Sequence, residues 1–536
     1  MKKYAFIFIM TCNFLNAQVE EFLGAGYSSP TLVNDKLVFR LFTPEFGTEL
    51  WVTDGTSEGT QLLVDINPGT GSSNVSISQS SVIDGVLYFR AAHTPHTVWR
   101  TDGTPQGTFP HINNVQIFDP NSFVKCNEFI LFASKIGGND NLWRLWRMTE
   151  FVDSELPIIN TFDGKVINNV TINSIISLNE TTVMFGANTN EDGWAIFGTT
   201  GATTDLIIDL YQGNNSTYNN FTQINSPKNI DGKLYFTGFQ EATGFEPWTS
   251  MGSASTTNLL KDILVSPTVN STSSPIHWTK AGNTIYFSAF DGINGRELWK
   301  TNGSSSGTLL VKDIHPGNNS NFGPFALTEF NNQLYFLQNN GTNGTQIWKS
   351  NGTEESTTMV SNTQIISSVS NPSFDKADNK LFFSGFSPLY GNELFMIDQN
   401  DEITLVADIN PGINGSDPGF VIEYNGYIYF QARFGNTSNT LRTYRIALNT
   451  LDVNNNVSKS LNLKILPNPT SDYFTVVSDF MNDLSIEVYS LLGQKQNIPQ
   501  MNDHRYDISQ LSNGVYLVKI IDQKSNSILT KKIIKQ

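Results

Sequence analysis

Short apolar runs ending in bulky residues punctuate the chain: Leu37-Val38-Phe39, Leu87-Tyr88-Phe89, Ile130-Leu131-Phe132, Val183-Met184-Phe185, Leu234-Tyr235-Phe236, Ile285-Tyr286-Phe287, Leu334-Tyr335-Phe336, Leu381-Phe382-Phe383 and Ile428-Tyr429-Phe430. Successive runs lie 50, 43, 53, 51, 51, 49, 47 and 47 residues apart. About twelve residues after each run a second segment carries one large aromatic: Trp51, Trp99, Trp143, Phe197, Trp248, Trp299, Trp348, Phe395 and Tyr444. A turn follows, clearest in Thr53-Asp54-Gly55-Thr56, Thr101-Asp102-Gly103-Thr104 and Thr301-Asn302-Gly303-Ser304. A third segment such as Leu62-Leu63-Val64-Asp65-Ile66 then closes on Pro68-Gly69, and a weaker fourth, such as Ile276-His277-Trp278-Thr279, leads into the next copy.

Asp-Gly and Asn-Gly tolerate positive φ, which tight strand-to-strand turns demand, and Pro ends pairing because it has no N–H to give. Four short strands per copy make one antiparallel sheet, and no stretch sustains a 3.6-residue period. The strands are apolar at consecutive positions, so both faces of each sheet need cover, which only neighbouring copies can supply. Face-to-face stacking about an axis predicts an all-β fold: a β-propeller of eight or nine four-stranded blades, with an open stack as the structural alternative. The copies number nine, but the third and ninth are irregular. Trp51, Trp99, Trp143, Trp248, Trp299 and Trp348 are expected in the repeat core, each burying roughly 150–250 Å².

The segments Glu49-Leu50-Trp51-Val52-Thr53-Asp54-Gly55-Thr56 and Glu297-Leu298-Trp299-Lys300-Thr301-Asn302-Gly303 resemble the ELWxxDGT repeats of hyalin-like bacterial surface proteins, over residues 27 to 450. The resemblance implies an exported repeat protein and is nearly silent on activity. Copies three, four and nine depart from the motif.

The pattern changes after a polar linker at 449–463. Residues 464–536 read as a small β-sandwich of seven short strands or fewer. In order they carry Pro467-Asn468-Pro469, then Ser490-Leu491-Leu492-Gly493, then Leu511-x-x-Gly514-x-Tyr516, and a basic final strand. That order is similar to the type A sorting domain of the type IX secretion system, with Pro467, Asn468, Pro469, Gly493, Gly514 and Tyr516 at the motif positions. The resemblance implies the type IX machinery as partner, passage across the outer membrane and removal of the tail. An Ig-like adhesion module is the other reading.

At the other end, Lys2 and Lys3 precede an apolar run and Ala17 offers a small-residue cleavage point, so residues 1–17 read as a signal peptide and 18–448 as the propeller domain. The run is too short to span a bilayer of ~30 Å, and no later run is longer, so no transmembrane segment is expected. Cys12 as a lipidated residue fits its surroundings poorly. Removal of the leader leaves Cys126 alone, expected as a small buried hydrophobe.

Net charge is −16 with only 15% charged residues, which excludes nucleic acid as a partner. The acids that recur in register, Glu49, Glu246, Glu297 and Glu393 and again Asp65, Asp262, Asp313 and Asp408, are expected to hold backbone rather than catalyse. Catalytic candidates are therefore acids outside the register, such as Asp140, Glu155 and Asp192. His93, His96 and His111 gather in the second copy without a completing ligand, and Asp291 to Gly295 lacks the oxygens of a calcium loop. The Trp143-Arg144-Leu145-Trp146-Arg147 segment suits either a strand facing its neighbours or a surface that stacks on sugars. No catalytic, cofactor or metal residue is assigned. The expected function is non-catalytic binding or adhesion, to a glycan or protein, at or outside the cell surface. The alternative is an extracellular propeller enzyme acting on polysaccharide.

Overall fold

The computed structural model describes residues 19–91, 97–112, 117–136, 142–151, 161–162, 165–189, 193–210, 224–265, 272–318, 323–341, 344–360, 373–387, 390–434, 440–451, 463–478, 484–490, 493–502, 504–522 and 528–536. Ahead of the C-terminal domain these form nine antiparallel sheets, here blades 1 to 9: residues 27–64, 82–112, 117–148, 161–208, 225–259, 276–312, 325–359, 375–407 and 419–447. Seven are four-stranded; among the described residues blade 3 has three strands and blade 4 six, with an extra hairpin at 161–170. Blade 9 takes its fourth strand, Val19–Leu23, from the start of the described chain, paired antiparallel with Leu441–Ala447.

Each core cluster lies between two consecutive blades. In blade 5 Leu234 and Phe236 pack against blade 4, while Tyr235 packs against blade 6. That alternation is the physical reason for the consecutive apolar positions: successive side chains of a strand point to opposite faces, and both faces are covered. The series runs from blades 1 and 2 through blades 8 and 9 and closes on a cluster of Tyr27, Leu37, Phe39 and Leu41 with Tyr429 of blade 9. The sheets form a closed β-propeller.

Within a blade the last residue of the apolar run faces the large aromatic of the next strand: Phe39 opposite Trp51, Phe89 opposite Trp99, Phe236 opposite Trp248, Phe287 opposite Trp299 and Phe336 opposite Trp348. In blade 3 two tryptophans share the role, Trp143 packing half-buried against the core between blades 3 and 4. Trp143 pairs with Lys135, whose ammonium sits 5.0 Å over its ring, and Trp146 takes the core position opposite Phe132, its ring stacked at 6.3 Å. Three residues apart on a strand, the two tryptophans point to opposite faces, so only one can occupy that core.

The turns repeat one hydrogen-bond set. Thr53 Oγ1 accepts the Gly55 N–H (2.9 Å), and Asp54 Oδ1 accepts both the N–H (2.9 Å) and the hydroxyl (2.7 Å) of Thr56. Thr101-Asp102-Gly103-Thr104 and Thr301-Asn302-Gly303-Ser304 make the same bonds. Each turn glycine rests on the preceding blade. A Cβ on Gly303 (φ 86°) would meet the Tyr235 hydroxyl at 3.0 Å, and one on Gly55 (φ 93°) the Tyr429 hydroxyl at 3.1 Å, the last blade against the first.

Residues 463–536 form two further four-stranded sheets with a shared core that includes Ile465, Phe474, Val488, Tyr506, Val518 and Ile533: a β-sandwich of eight strands, one more than the expected maximum.

Candidate functional site

The recurring glutamates are fully buried, and their oxygens hold backbone. Glu297 accepts the N–H of Ile314 (3.1 Å) and of His315 (2.9 Å). Glu393 accepts those of Ile409 and Asn410, both at 3.2 Å, and the Ser416 hydroxyl at 2.5 Å. Glu246 does the same with Ile263, Leu264 and Ser273, and Glu49 accepts from Ile66. Burial pushes Glu246 up to about 7 and Glu297 and Glu393 up to about 8, with the hydrogen bonds partly opposing. Asp65 closes a turn by accepting the Gly69 N–H at 3.3 Å, and Asp408 beside Glu393 adds to the rise.

His111 is buried against Tyr88, with Nε2 2.9 Å from the Thr149 carbonyl oxygen. Asp291 accepts the N–H groups of Ile293 and Asn294 within its own turn. Arg147 lies over the Phe129 ring and bonds the Gly201 carbonyl. Cys126 is buried between blades 3 and 4, its thiol pushed up to about 11 by burial. Among the described residues no three His, Cys, Asp or Glu side chains gather as a metal site. Residues 1–17, His93, His96, Asp140, Glu155 and Asp192 lie outside the described residues.

The inner wall of the ring is a different matter. First strands of neighbouring blades touch one another, Tyr27–Val33 with Gly419–Tyr424 and Ile276–Ala281 with Phe325–Phe330, so they line the common axis. Six carry a bulge in which a non-glycine residue is left-handed: Ser29 (φ 52°), Ser122 (57°), Ser226 (47°), His277 (64°), Ala326 (53°) and Phe420 (54°). Such residues are uncommon and re-aim side chains. Two residues further on, Thr31, Lys228, Thr279, Thr328 and Ile422 occupy one register position, opposite the middle of each apolar run. In blade 8 that position is Asp375, opposite Phe382.

Asp375 lines a cleft of about 360 Å³ where blades 1, 8 and 9 meet the segment leading into blade 2, with Ser29, Thr31, Gln79, Phe420 and Ile422. The carboxylate accepts the Val421 N–H at 3.0 Å, and desolvation raises its pKa against that bond. Beneath it Tyr27 is buried and donates to the Phe420 carbonyl at 2.5 Å; burial, then the charge of Asp375, drives its phenol well above the usual value. The Phe420 ring is half exposed. The cleft thus joins an apolar face to one hydrogen-bond-accepting acid of raised pKa. Sequence reasoning missed these three residues; the signal available was Asp375 as an acid out of step with its copies.

In the sandwich the Asn468 carboxamide clasps the last strand, accepting the Ile534 N–H (2.9 Å) and donating to the Lys532 carbonyl (2.8 Å) between Pro467 and Pro469. Gly493 turns at φ 78°, Gly514 opens the strand Gly514–Asp522, and the buried Tyr516 donates to the Ser512 carbonyl at 2.8 Å.

Comparison with known proteins finds similarity at two levels. An endo-acting ulvan lyase of Formosa agariphila is 30% identical over 93 residues, which is 17% of this chain and 18% of that protein. Among solved structures, prolyl oligopeptidase B from Galerina marginata has a TM-score of 0.37 at 10% identity, covering 68% of this chain and 56% of that one. The β-propeller domain of the Trilobed protease from Pyrococcus furiosus has a TM-score of 0.30 at 9% identity, covering 62% and 97%. Residues 464–536 match the secretion system C-terminal sorting domain. The chain therefore carries a type IX sorting domain at its C-terminus and is directed to the cell surface or beyond it.

Proposed function

We propose that the ring is a non-catalytic extracellular binding module of the ELWxxDGT type, and that it takes a glycan or protein ligand in the cleft between blades 1, 8 and 9. The observation that carries this reading is the division of labour among the acids. The glutamates in register are buried and engaged by backbone N–H groups, while Asp375, with one backbone bond of its own, stands on the inner wall beside the exposed ring of Phe420. An apolar platform with few convergent polar groups is the usual make-up of a ligand site. A carboxylate there can accept a hydroxyl or an ammonium hydrogen.

Full mature protein screened against glycan and matrix-protein panels should bind a subset. Phe420→Ala should weaken that binding about tenfold, the equivalent of ~1.4 kcal/mol. Silence across the panels, or binding indifferent to Phe420→Ala, contradicts the assignment.

The second reading, an enzyme acting on polysaccharide, is favoured by one feature: a carboxyl of raised pKa is what a general acid requires. The short stretch shared with an endo-acting ulvan lyase points the same way. Release of new sugar ends from mixed polysaccharides, lost in Asp375→Asn, would establish it in place of the first.

A further inference from the structure

We propose that His277 and Arg296 form an oxyanion-binding site on the inner wall of blade 6, which takes a carboxylate or sulfate group of an extracellular ligand. The site is separate from the cleft of blades 1, 8 and 9.

Arg296 opens the third strand of blade 6, Arg296–Thr301, three residues before the core Trp299. The same place holds Thr48, Phe245, Thr345, Asn392 and Leu441 in other blades, none of them charged. Its guanidinium reaches the segment that leads into the inner strand and the second strand beside it, donating from Nη1 to the carbonyl oxygens of Ser274 (2.9 Å) and Ser288 (3.4 Å). Its stem fills space that Gly323, just ahead of blade 7, leaves open: a Cβ there would lie 2.3 Å from Cγ and Cδ. No carboxylate pairs with this half-buried guanidinium among the described residues, although the chain has 49 acids to 33 lysines and arginines. A desolvated charge without a counter-ion is costly, and desolvation accordingly lowers its pKa.

His277 is the neighbour. It is exposed at the bulge of the first strand, where other blades place Ser29, Ser122, Ser226 and Ala326. Its bulge adjoins Ile276, which pairs with Ser288, whose carbonyl the guanidinium bonds; desolvation, then the charge of Arg296, lowers the imidazole's pKa. The Ser288 hydroxyl, fully buried beside the arginine stem, has no hydrogen-bond partner. The Nε and Nη2 hydrogens, three of the five guanidinium N–H groups, remain to meet an anion, in the fork geometry that suits a planar or tetrahedral oxyanion. An anion seated there neutralises the arginine and favours protonation of the histidine.

The test is calorimetric titration of the full mature protein with sodium sulfate and, separately, with trigalacturonate, using neutral maltotriose as control. The acidic probes should bind and maltotriose should not; Arg296→Gln should weaken binding at least tenfold and His277→Ala several-fold, with Phe420→Ala without effect. Sulfate alone identifies a free-anion site, trigalacturonate alone an acidic-glycan site, and either supports the proposal. Failure of both probes overturns it, as does unchanged affinity in His277→Ala together with a correctly folded Arg296→Gln. Because Phe420→Ala reports on the other cleft, loss of one reading leaves the other standing.

Discussion

Burying a carboxyl group between two sheets is unfavourable when it is ionised and much less so when it is neutral. Glu246, Glu297 and Glu393 show both sides of this balance, gaining backbone N–H donors yet titrating near 7 to 8. Their folded pKa values exceed the unfolded value of about 4.3. The folded chain therefore holds more protons than the unfolded one in that window, so the stability they contribute is complete below pH ~4 and is lost as pH rises through 7 to 8. Thermal unfolding of the wild type should accordingly show a midpoint that falls from pH 5 to pH 9. Glu297→Gln should flatten part of that fall and cost ~1–3 kcal/mol at pH 5, because an amide nitrogen cannot accept the second N–H. A pH slope identical in the variant and the wild type would refute this account. The role of these residues was legible in the sequence from recurrence alone; their pKa was not, since it depends on burial between blades.

At the scale of strands and turns, apolar runs, turn glycines and aromatic partners were all readable, because a strand's period and a turn's φ are local properties. Trp143 does not face Phe132 as its counterparts face theirs, because two tryptophans stand three residues apart: Trp146 takes that register position and Trp143 packs against the core between blades 3 and 4. Most left-handed residues of the inner strands left no local mark: Phe420 and Ala326, for example, are not residues that favour positive φ. Asp375 and Phe420 become a site only once blades 8 and 9 are juxtaposed. The turns make a sharper prediction. Gly303→Ala should cost ~2 kcal/mol or more, from strained φ plus collision with Tyr235 and Lys233 of the preceding blade. Gly317→Ala, at φ 110° with nothing within 4 Å, should pay only the backbone part. Urea titrations giving equal losses would show that the turns do not brace neighbouring blades.

For the molecule as a whole, the sorting domain and the ring have separate cores. Asn468 fastens the basic last strand to the segment that opens the domain, so the motif residues build one folded surface rather than a loose tail. Removal of residues 464–536 should leave the protein in the cell envelope, as fractionation of cells would report; normal release of the truncated form would contradict that role. Ring closure was left open by the sequence because the strand that completes blade 9, Val19–Leu23, opens the described chain and lies over 400 residues from its partner Leu441–Ala447. Arg445 seals the seam, pairing with Glu20 at 2.7 Å, donating to the Gly55 carbonyl at 2.6 Å and lying over the Tyr427 ring at 4.5 Å.

Closure is what gives the inner strands a common channel, and both proposed sites with it. It is tested most directly across the seam, where the Asn425 side chain donates to the Asp54 carbonyl at 2.9 Å, 371 residues away. In a double variant, Gly55→Cys with Asn425→Cys, whose Cβ atoms would lie 3.7 Å apart, mild oxidation of the folded monomer should form an intramolecular disulfide, without dimers. Thiols that stay free, or that pair only between molecules, would mean that blades 1 and 9 do not meet.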